Sequence, residues 1–466
     1  MKAILYLIIS VLSLGAHGQI PYNTSGFLDH CWKDIGSNGF SPIGVRSVDL
    51  AITVSGVPYV VFSDSSLSDK ATVMKFNGVD WIYVGSPGFT TAGAYFTNIA
   101  FAPSGQPYIA FSDETYASKA TVMMFDGASW VYVGSPGFSD GEAEFTSFAI
   151  SSSGELYVAY SDYAHFYQAT VKKYNGLNWE NVGNAGFSAG WALSTFLALS
   201  PSGEPFITYL DETFGDAAVV MKFDGSNWVY VGAPGFTWTT QSPCLAFNST
   251  GQVYISFMNE QDNQKASVMK FENNTWTFVG DTSFSNGTAD GERLAINRDD
   301  QPCVAFRDWT VSWKATVMQF DGTAWTNIGN PGFSAGAAEV TRLLFDPSGQ
   351  PLVSFIDEGN SYKATVMKFD SIYTGIGSHA EHRLTLSPDP VLTKLTVRLE
   401  DGNNSFHKVE ILDLRGVVVL TTQAFGNTFV VNTEPLPTGC YVIKVNSEKS
   451  AYSGKFTRES SILRTQ

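Results

Sequence analysis

Arginine is scarce and unevenly placed between residues 19 and 370, where only Arg46, Arg293, Arg298, Arg307 and Arg342 occur. A guanidinium fork grips a carboxylate bidentately, and the indoles of Trp309 and Trp313 offer flat apolar faces for stacking. Arg46, Arg293, Arg307, Arg342, Trp309 and Trp313 therefore form a candidate site for an anionic or sugar ligand. The competing reading pairs the arginines with Glu292, Asp308 and Glu339 as structural salt bridges. A second aromatic set comprises Tyr116, His165, Phe166, Trp191 and Trp238. Catalytic constellations are thin. His165 is the single histidine of the repeat region by this reading, so a Ser-His-Asp arrangement or a multi-histidine metal centre has little to draw on. Carboxylates suited to glycoside cleavage are plentiful, but the sequence singles out no pair. With no Asp-x-Asp-x-Asp-Gly loop to hold calcium, no metal and no cofactor is expected.

The elements that must carry these residues follow from a repeat. Tryptophans at 32, 81, 130, 179, 228, 276 and 325 are spaced by 49 residues, once by 48. Each opens the same phrase, as in Trp81-Ile82-Tyr83-Val84-Gly85 followed by Gly88-Phe89. A fixed period of this size with strand-like content marks the blade of a β-propeller. Unit two shows the four strands, bounded by turn residues: a from Phe96 to Ala102, b from Pro107 to Ser112, c from Lys119 to Phe125 and d from Trp130 to Val133. The chain enters the repeat on a lone d strand, Trp32 to Phe40, and leaves it after a lone a-b-c set ending at Phe369. The expected fold is all-β: a seven-bladed β-propeller whose N-terminal d strand closes the last blade, followed by a small C-terminal β-sandwich domain. Closure would remove the exposed sheet edges.

Antiparallel order puts the a–b and c–d turns on one face and the b–c and d–a loops on the other. The first face is monotonous, with Pro-Ser-Gly at 103–105, 201–203 and 347–349 and Asp-Gly starting at 126, 224 and 321. The second varies from blade to blade, so a ligand belongs there. All the arginines but Arg298 map to it, in blades six, seven and one, with Arg46, Arg293 and Arg342 at starts of the innermost strand. Repeated residues read as structure. Met74, Met123, Met221, Met269, Met318 and Met367 occupy one slot of strand c and read as core. Asp64, Asp113, Asp162, Asp211, Asp308 and Asp357, with Asn259, end strand b and read as Asx caps. Asp-Gly-x-x-Trp lacks the spacing of the Asp box of sialidase-like propellers and reads as a type I′-like hairpin turn.

The ends add routing. Lys2, the apolar run from Ala3 to Leu14 and the exit Ala16-His17-Gly18 read as a signal peptide over 1–18. The propeller then spans 19–370, a linker 371–383, a second domain 384–458 and a tail 459–466. Later apolar runs are too short to span a bilayer, so no integral membrane protein is expected. A net charge of −16 argues against nucleic acid and anionic lipid surfaces. The four cysteines read as small buried side chains, because Cys244 and Cys303 fall at opposite strand ends in neighbouring blades.

Three landmarks distinguish the second domain: Leu386-Ser387-Pro388-Asp389-Pro390, Val409 to Gly416 with Asp413 three residues before its glycine, and Leu436-Pro437-Thr438-Gly439-Cys440-Tyr441. Over 384–457 the chain resembles the type A C-terminal sorting domain of the type IX secretion system. That resemblance implies a Bacteroidota-type cell, export through the type IX machinery and a secreted or cell-surface location. Asp389 and Cys440 depart from the usual Asn and aliphatic residue. The expected function is an exported or cell-surface binding protein whose variable propeller face recognises a glycan or protein ligand. The alternatives are a structural or adhesive surface protein, or a carbohydrate-active glycosidase or lyase. On the thin catalytic inventory, the chain is expected not to be an enzyme.

Overall fold

The computed structural model describes residues 28–373, 384–399, 406–413, 418–446 and 451–458. The chain divides into a unit over His30–Asp370 and a second that includes the residues from Ser371 onward. The expected signal peptide, most of the linker, the tail and Leu414-Arg415-Gly416 of the sorting motif lie outside the described residues.

The first unit holds seven four-stranded antiparallel sheets. Blade two is typical: strand a is Ala94–Phe101, b Pro107–Asp113, c Lys119–Phe125 and d Trp130–Tyr132. Blades one to six are built from consecutive strands, whereas blade seven takes its fourth from the N-terminus, Leu28–Asp34, which lies beside Lys363–Tyr373. Ile35 N donates to Val366 O at 2.9 Å and Phe40 N to Ala364 O at 3.0 Å, extending the closure. The histidine count changes with it, since His30 falls in this closing strand.

The repeated phrase earns its place between blades. In every blade the tryptophan indole N–H donates to a backbone carbonyl of the preceding blade, from Trp81 to Ile35 (2.7 Å) round to Trp325 to Val279 and, across the closure, Trp32 to Ile328 (both 2.7 Å). Each indole also lies flat on the phenylalanine of the preceding phrase, with centroids 4.1 Å apart for Phe40 and Trp81 and 3.8 Å for Phe284 and Trp325. The phrase needs glycine because its backbone passes against that indole. Gly85 has φ +78°, and a Cβ there would stand 3.0 Å from Trp130 Cδ1. The lone 48-residue spacing arises in the connection into blade five, which is one residue shorter from Phe236 to Thr240 than its counterpart from Phe187 to Ala192.

Strand b ends on the expected Asx caps. Each carboxylate or amide oxygen accepts from the backbone N–H two residues on, as from Thr115 N to Asp113 (3.0 Å), and starts one turn of 3₁₀ helix. The c–d turns differ from expectation. Gly127 has φ +105° while its successor Ala128 is not left-handed, which is the II′ pattern rather than I′. Asp126 Oδ1 braces this turn by accepting from Ala128 N and Ser129 N, both at 2.8 Å. Blade five alone has both central residues left-handed, Asn273 and Asn274. Among the described residues no disulfide is formed, with Cys244 and Cys303 buried and Cys31 and Cys440 half-buried.

The second unit is a sandwich of a three-stranded and a four-stranded antiparallel sheet. Val397, Val409, Ile411, Val431, Ile443, Val445 and Phe456 fill its core. Its sequence landmarks are braced within it. Tyr441 Oη donates to Pro437 O (2.8 Å), and Asp389 Oδ1 accepts from Thr457 N (2.7 Å).

Candidate functional site

Strand a lines the propeller axis, and in the middle of each described run it carries a bulge that breaks strict alternation. In blade three the register shifts between Glu144 and Ser147, where Phe145 takes φ +50°. Phe96, Ser194 and Ser242 are left-handed at the equivalent point. The bulge swings two successive side chains toward the axis, around a cavity of about 480 Å³ opening on the loop face. That volume lies within the roughly 300–1,000 Å³ of small-ligand pockets.

The cavity has two unlike walls. Blades two to four supply Tyr95, Phe96, Phe145 and Phe196 with the hydroxyls of Thr97, Thr146, Ser147, Ser194 and Thr195. Several hydroxyls tie neighbouring blades together: Thr146 Oγ1 donates to Phe96 O (2.7 Å), and Ser147 Oγ accepts from Leu197 N (2.9 Å). Blades six, seven and one supply Arg293, Arg342 and Arg46, with Asp49 the one lining carboxylate. In a chain of net charge −16, three guanidiniums converge here against Asp49 in the lining and Asp69 just outside it, an arginine well with one cation in excess.

The structure therefore divides the six expected site residues. Arg46, Arg293 and Arg342 meet at the cavity, whereas Arg307, at the end of strand b of blade six, forms a separate cluster with Trp309 and Trp313 on the following b–c link. There the Arg307 guanidinium stacks 4.9 Å over the Trp313 ring, and Trp309 meets Trp313 edge to face at 5.2 Å.

The expected salt-bridge partners are replaced. Arg46 pairs with Asp69 (3.1 Å), Arg342 with Asp49 (3.0 Å) and, more loosely, Arg307 with Asp290 (3.7 Å). Among the described residues, none pairs with Glu292, Asp308 or Glu339. The bulge accounts for this, because it turns Glu292 into the wall and leaves Asp290 across from Arg307. Asp308 is meanwhile committed to its cap, accepting from Thr310 N (2.9 Å). Arg293 keeps only a bond to a backbone carbonyl, that of Glu292 (2.9 Å), and forms no salt bridge among the described residues. Glu292 stands where Thr97 and Thr146 stand in blades two and three. It is fully buried with neither carboxyl oxygen hydrogen-bonded, and desolvation pushes its pKa well above the ordinary carboxylate range.

Blade three breaks the repeat in another way. Lys172 fills the slot that methionine holds in the six other blades, and its Nζ lies 3.8 Å from Asp140. Asp140, Asp162 and His165 gather within 4.8 Å, with His165 Nδ1 2.9 Å from Asp162 Oδ2. An ammonium group already faces this trio, so it makes a poor metal centre. The gap in the methionine series was the sequence signal for it. Asp49, Phe96, Phe145 and Phe196 were missed, and Glu292 was read as a salt-bridge partner rather than a buried carboxyl, because their approach to the axis depends on the bulge register. Of the second aromatic set, Phe166, Trp191 and Trp238 are well exposed.

Comparison with solved structures finds propellers. A protein of unknown function from Dyadobacter fermentans is matched at 10% identity and TM-score 0.43, over 73% of this chain and 98% of that one. An α-L-arabinofuranosidase of Fusarium graminearum in complex with an iminosugar inhibitor is matched at 12% and 0.43, over 74% and 98%. A variant of the Aleuria aurantia lectin in complex with Fucα1-6GlcNAc is matched at 15% and 0.42, over 63% and 100%. The expectation that the chain is not an enzyme is corrected here, because the neighbours of its fold include this arabinofuranosidase and an arabinanase of Penicillium chrysogenum. No curated protein matches the chain. Among the described residues no helix is long and apolar enough to cross a membrane. Residues 385–459 match the family described as the secretion system C-terminal sorting domain, so this β-propeller protein carries a type IX sorting domain and is secreted or displayed at the cell surface.

Proposed function

We propose that the axial cavity binds an acidic glycan, with Arg293 and Arg342 taking the carboxylate and the aromatic wall of blades two to four packing on the sugar face. The observation that carries this reading is Arg293, a cavity-lining guanidinium with no carboxylate partner among the described residues. A buried or half-buried cation in this state gains most from an incoming anion, because charge-assisted bonds are strong where water is excluded. The opposite wall suits a sugar ring, which offers C–H faces to phenyl rings and a hydroxyl to Ser194.

The test is a glycan array probed with the full chain and with its Arg293→Ala and Arg342→Ala variants. Uronate-bearing glycans should bind the parent, and each variant should lose roughly ten- to hundredfold in affinity, the worth of one charge-assisted pair. Binding confined to neutral glycans, or indifferent to both substitutions, overturns the proposal.

A further inference from the structure

The b–c link of every blade ends on two successive left-handed residues, from Ser68 and Asp69 in blade one to Ser361 and Tyr362 in blade seven. The second of the pair hands its carbonyl to the start of strand a in the next blade, as in Ala192 N to Tyr167 O (2.8 Å), Ala338 N to Trp313 O (2.9 Å) and Val45 N to Tyr362 O (2.9 Å). These seven residues consequently form a ring beside the strand a starts on the loop face.

Two blades carry matching aromatic pairs on this link. In blade three, Tyr163 opens the 3₁₀ turn and Tyr167 occupies the ring position; their centroids lie 5.2 Å apart, edge to face. In blade six, Trp309 and Trp313 hold the same two slots at 5.2 Å, again edge to face. The other blades open the turn with Ser65, Glu114, Glu212, Glu260 and Glu358. The pairs are not core: Tyr163 is 57% exposed and Trp309 59%. Trp191, also exposed, extends the first pair at 5.7 Å from Tyr167. A bulky ring in left-handed backbone costs roughly 1–2 kcal/mol, and at Tyr167 (φ +57°) and Trp313 (φ +60°) no deep burial offsets it.

Blades three and six are three steps apart in a ring of seven, hence close to opposite, with the arginine well between them. We propose that the glycan is an extended chain laid across the mouth, with sugar faces stacked on both aromatic pairs and an acidic residue above Arg293 and Arg342. This rests on the cavity reading above. Tyr163 N donates to Glu142 O at 3.1 Å, which sets Glu142 beside the blade-three pair, and desolvation together with the charges of Glu144 and Glu142 raises the Tyr167 pKa, so the sugar on this pair is a neutral one. The ligand class is an acidic heteropolysaccharide in which uronate residues alternate with neutral ones.

The probe is a ladder of hyaluronan oligosaccharides, from disaccharide to dodecasaccharide, titrated calorimetrically into the full chain. Affinity should climb with length and then level off. Tyr163→Ala and Trp309→Ala, both at exposed positions, should each lower affinity for the longest oligomers by up to about tenfold. Together they should flatten the length dependence while leaving the disaccharide and the melting temperature unchanged. Length-independent binding that Arg293→Ala still abolishes overturns the two-platform proposal and leaves the cavity reading standing, as does length dependence that survives the double substitution. No binding of any oligomer overturns both.

Discussion

Two circles of residues run round the propeller, and they obey opposite rules. The outer circle is uniform: Trp32, Trp81, Trp130, Trp179, Trp228, Trp276 and Trp325 each stack on one phenylalanine and donate to one carbonyl of the blade before. The inner circle occupies one slot just past the strand a bulge and reads Asp49, Asn98, Ser147, Phe196, Cys244, Arg293 and Arg342 round the ring. Only its last two members agree. The outer circle repeats one blade-to-blade contact seven times, whereas in the inner circle only some members bind the next blade, Asp49 and Ser147 accepting from Ile99 N and Leu197 N (both 2.9 Å), and the residue type is left to vary.

This contrast can be broken from either side. Removing an outer-circle ring, as in Trp179→Ala, should cost about 3–5 kcal/mol of stability, read as a large drop in melting temperature, with ligand affinity unchanged below the transition. A mild effect would mean that the blades cohere elsewhere. In the inner circle the larger effect should fall on binding. Asp49→Asn removes the one lining carboxylate and the partner of Arg342, while an amide oxygen can still accept from Ile99 N as Asp49 Oδ2 does (2.9 Å). Acidic-glycan affinity should rise by roughly fivefold, as expected for about 1 kcal/mol of relieved competition, and a fall would show that Asp49 itself holds ligand.

The smallest effect concerns Glu292. Its folded-state pKa is raised by burial, so the native state is favoured while the group stays protonated and loses stability as pH climbs above the ordinary glutamate value of about 4.3. Glu292→Gln should therefore raise the melting temperature by roughly 2–4 °C near pH 8, with the gap closing toward pH 4. A constant gap across that range would show that the carboxyl group does not titrate differently on folding.

The outer circle was legible in the sequence because each blade repeats it. Trp spacing gave the blade count, and the unpaired d strand at one end and a-b-c set at the other gave the closure. The Asx caps were equally plain, since six aspartates and Asn259 recur at one position. The inner circle was only half legible. Arg46, Arg293 and Arg342 could be placed near the axis by their position at strand starts. Their partners could not, because a one-residue bulge decides which of Asp290, Glu292 and Arg293 faces the wall, and left-handed Phe96, Phe145, Ser194 and Ser242 carry no residue-type signature for it. The equivalence of Tyr163 with Trp309 depends on the loop register in the same way.

The bond from Trp32 to Ile328 joins residues 296 apart in the chain, and this sets an order of assembly. The strand that is made first is the one that must wait longest for its neighbour. Until residues 363–373 are available, the opening strand has no sheet to join, and the ring remains an open arc with two unprotected edges. Folding of this propeller is therefore a late event in the life of the polypeptide, completed only once nearly all the repeats can meet, and a chain cut short before the last blade is left with an edge that can recruit another molecule.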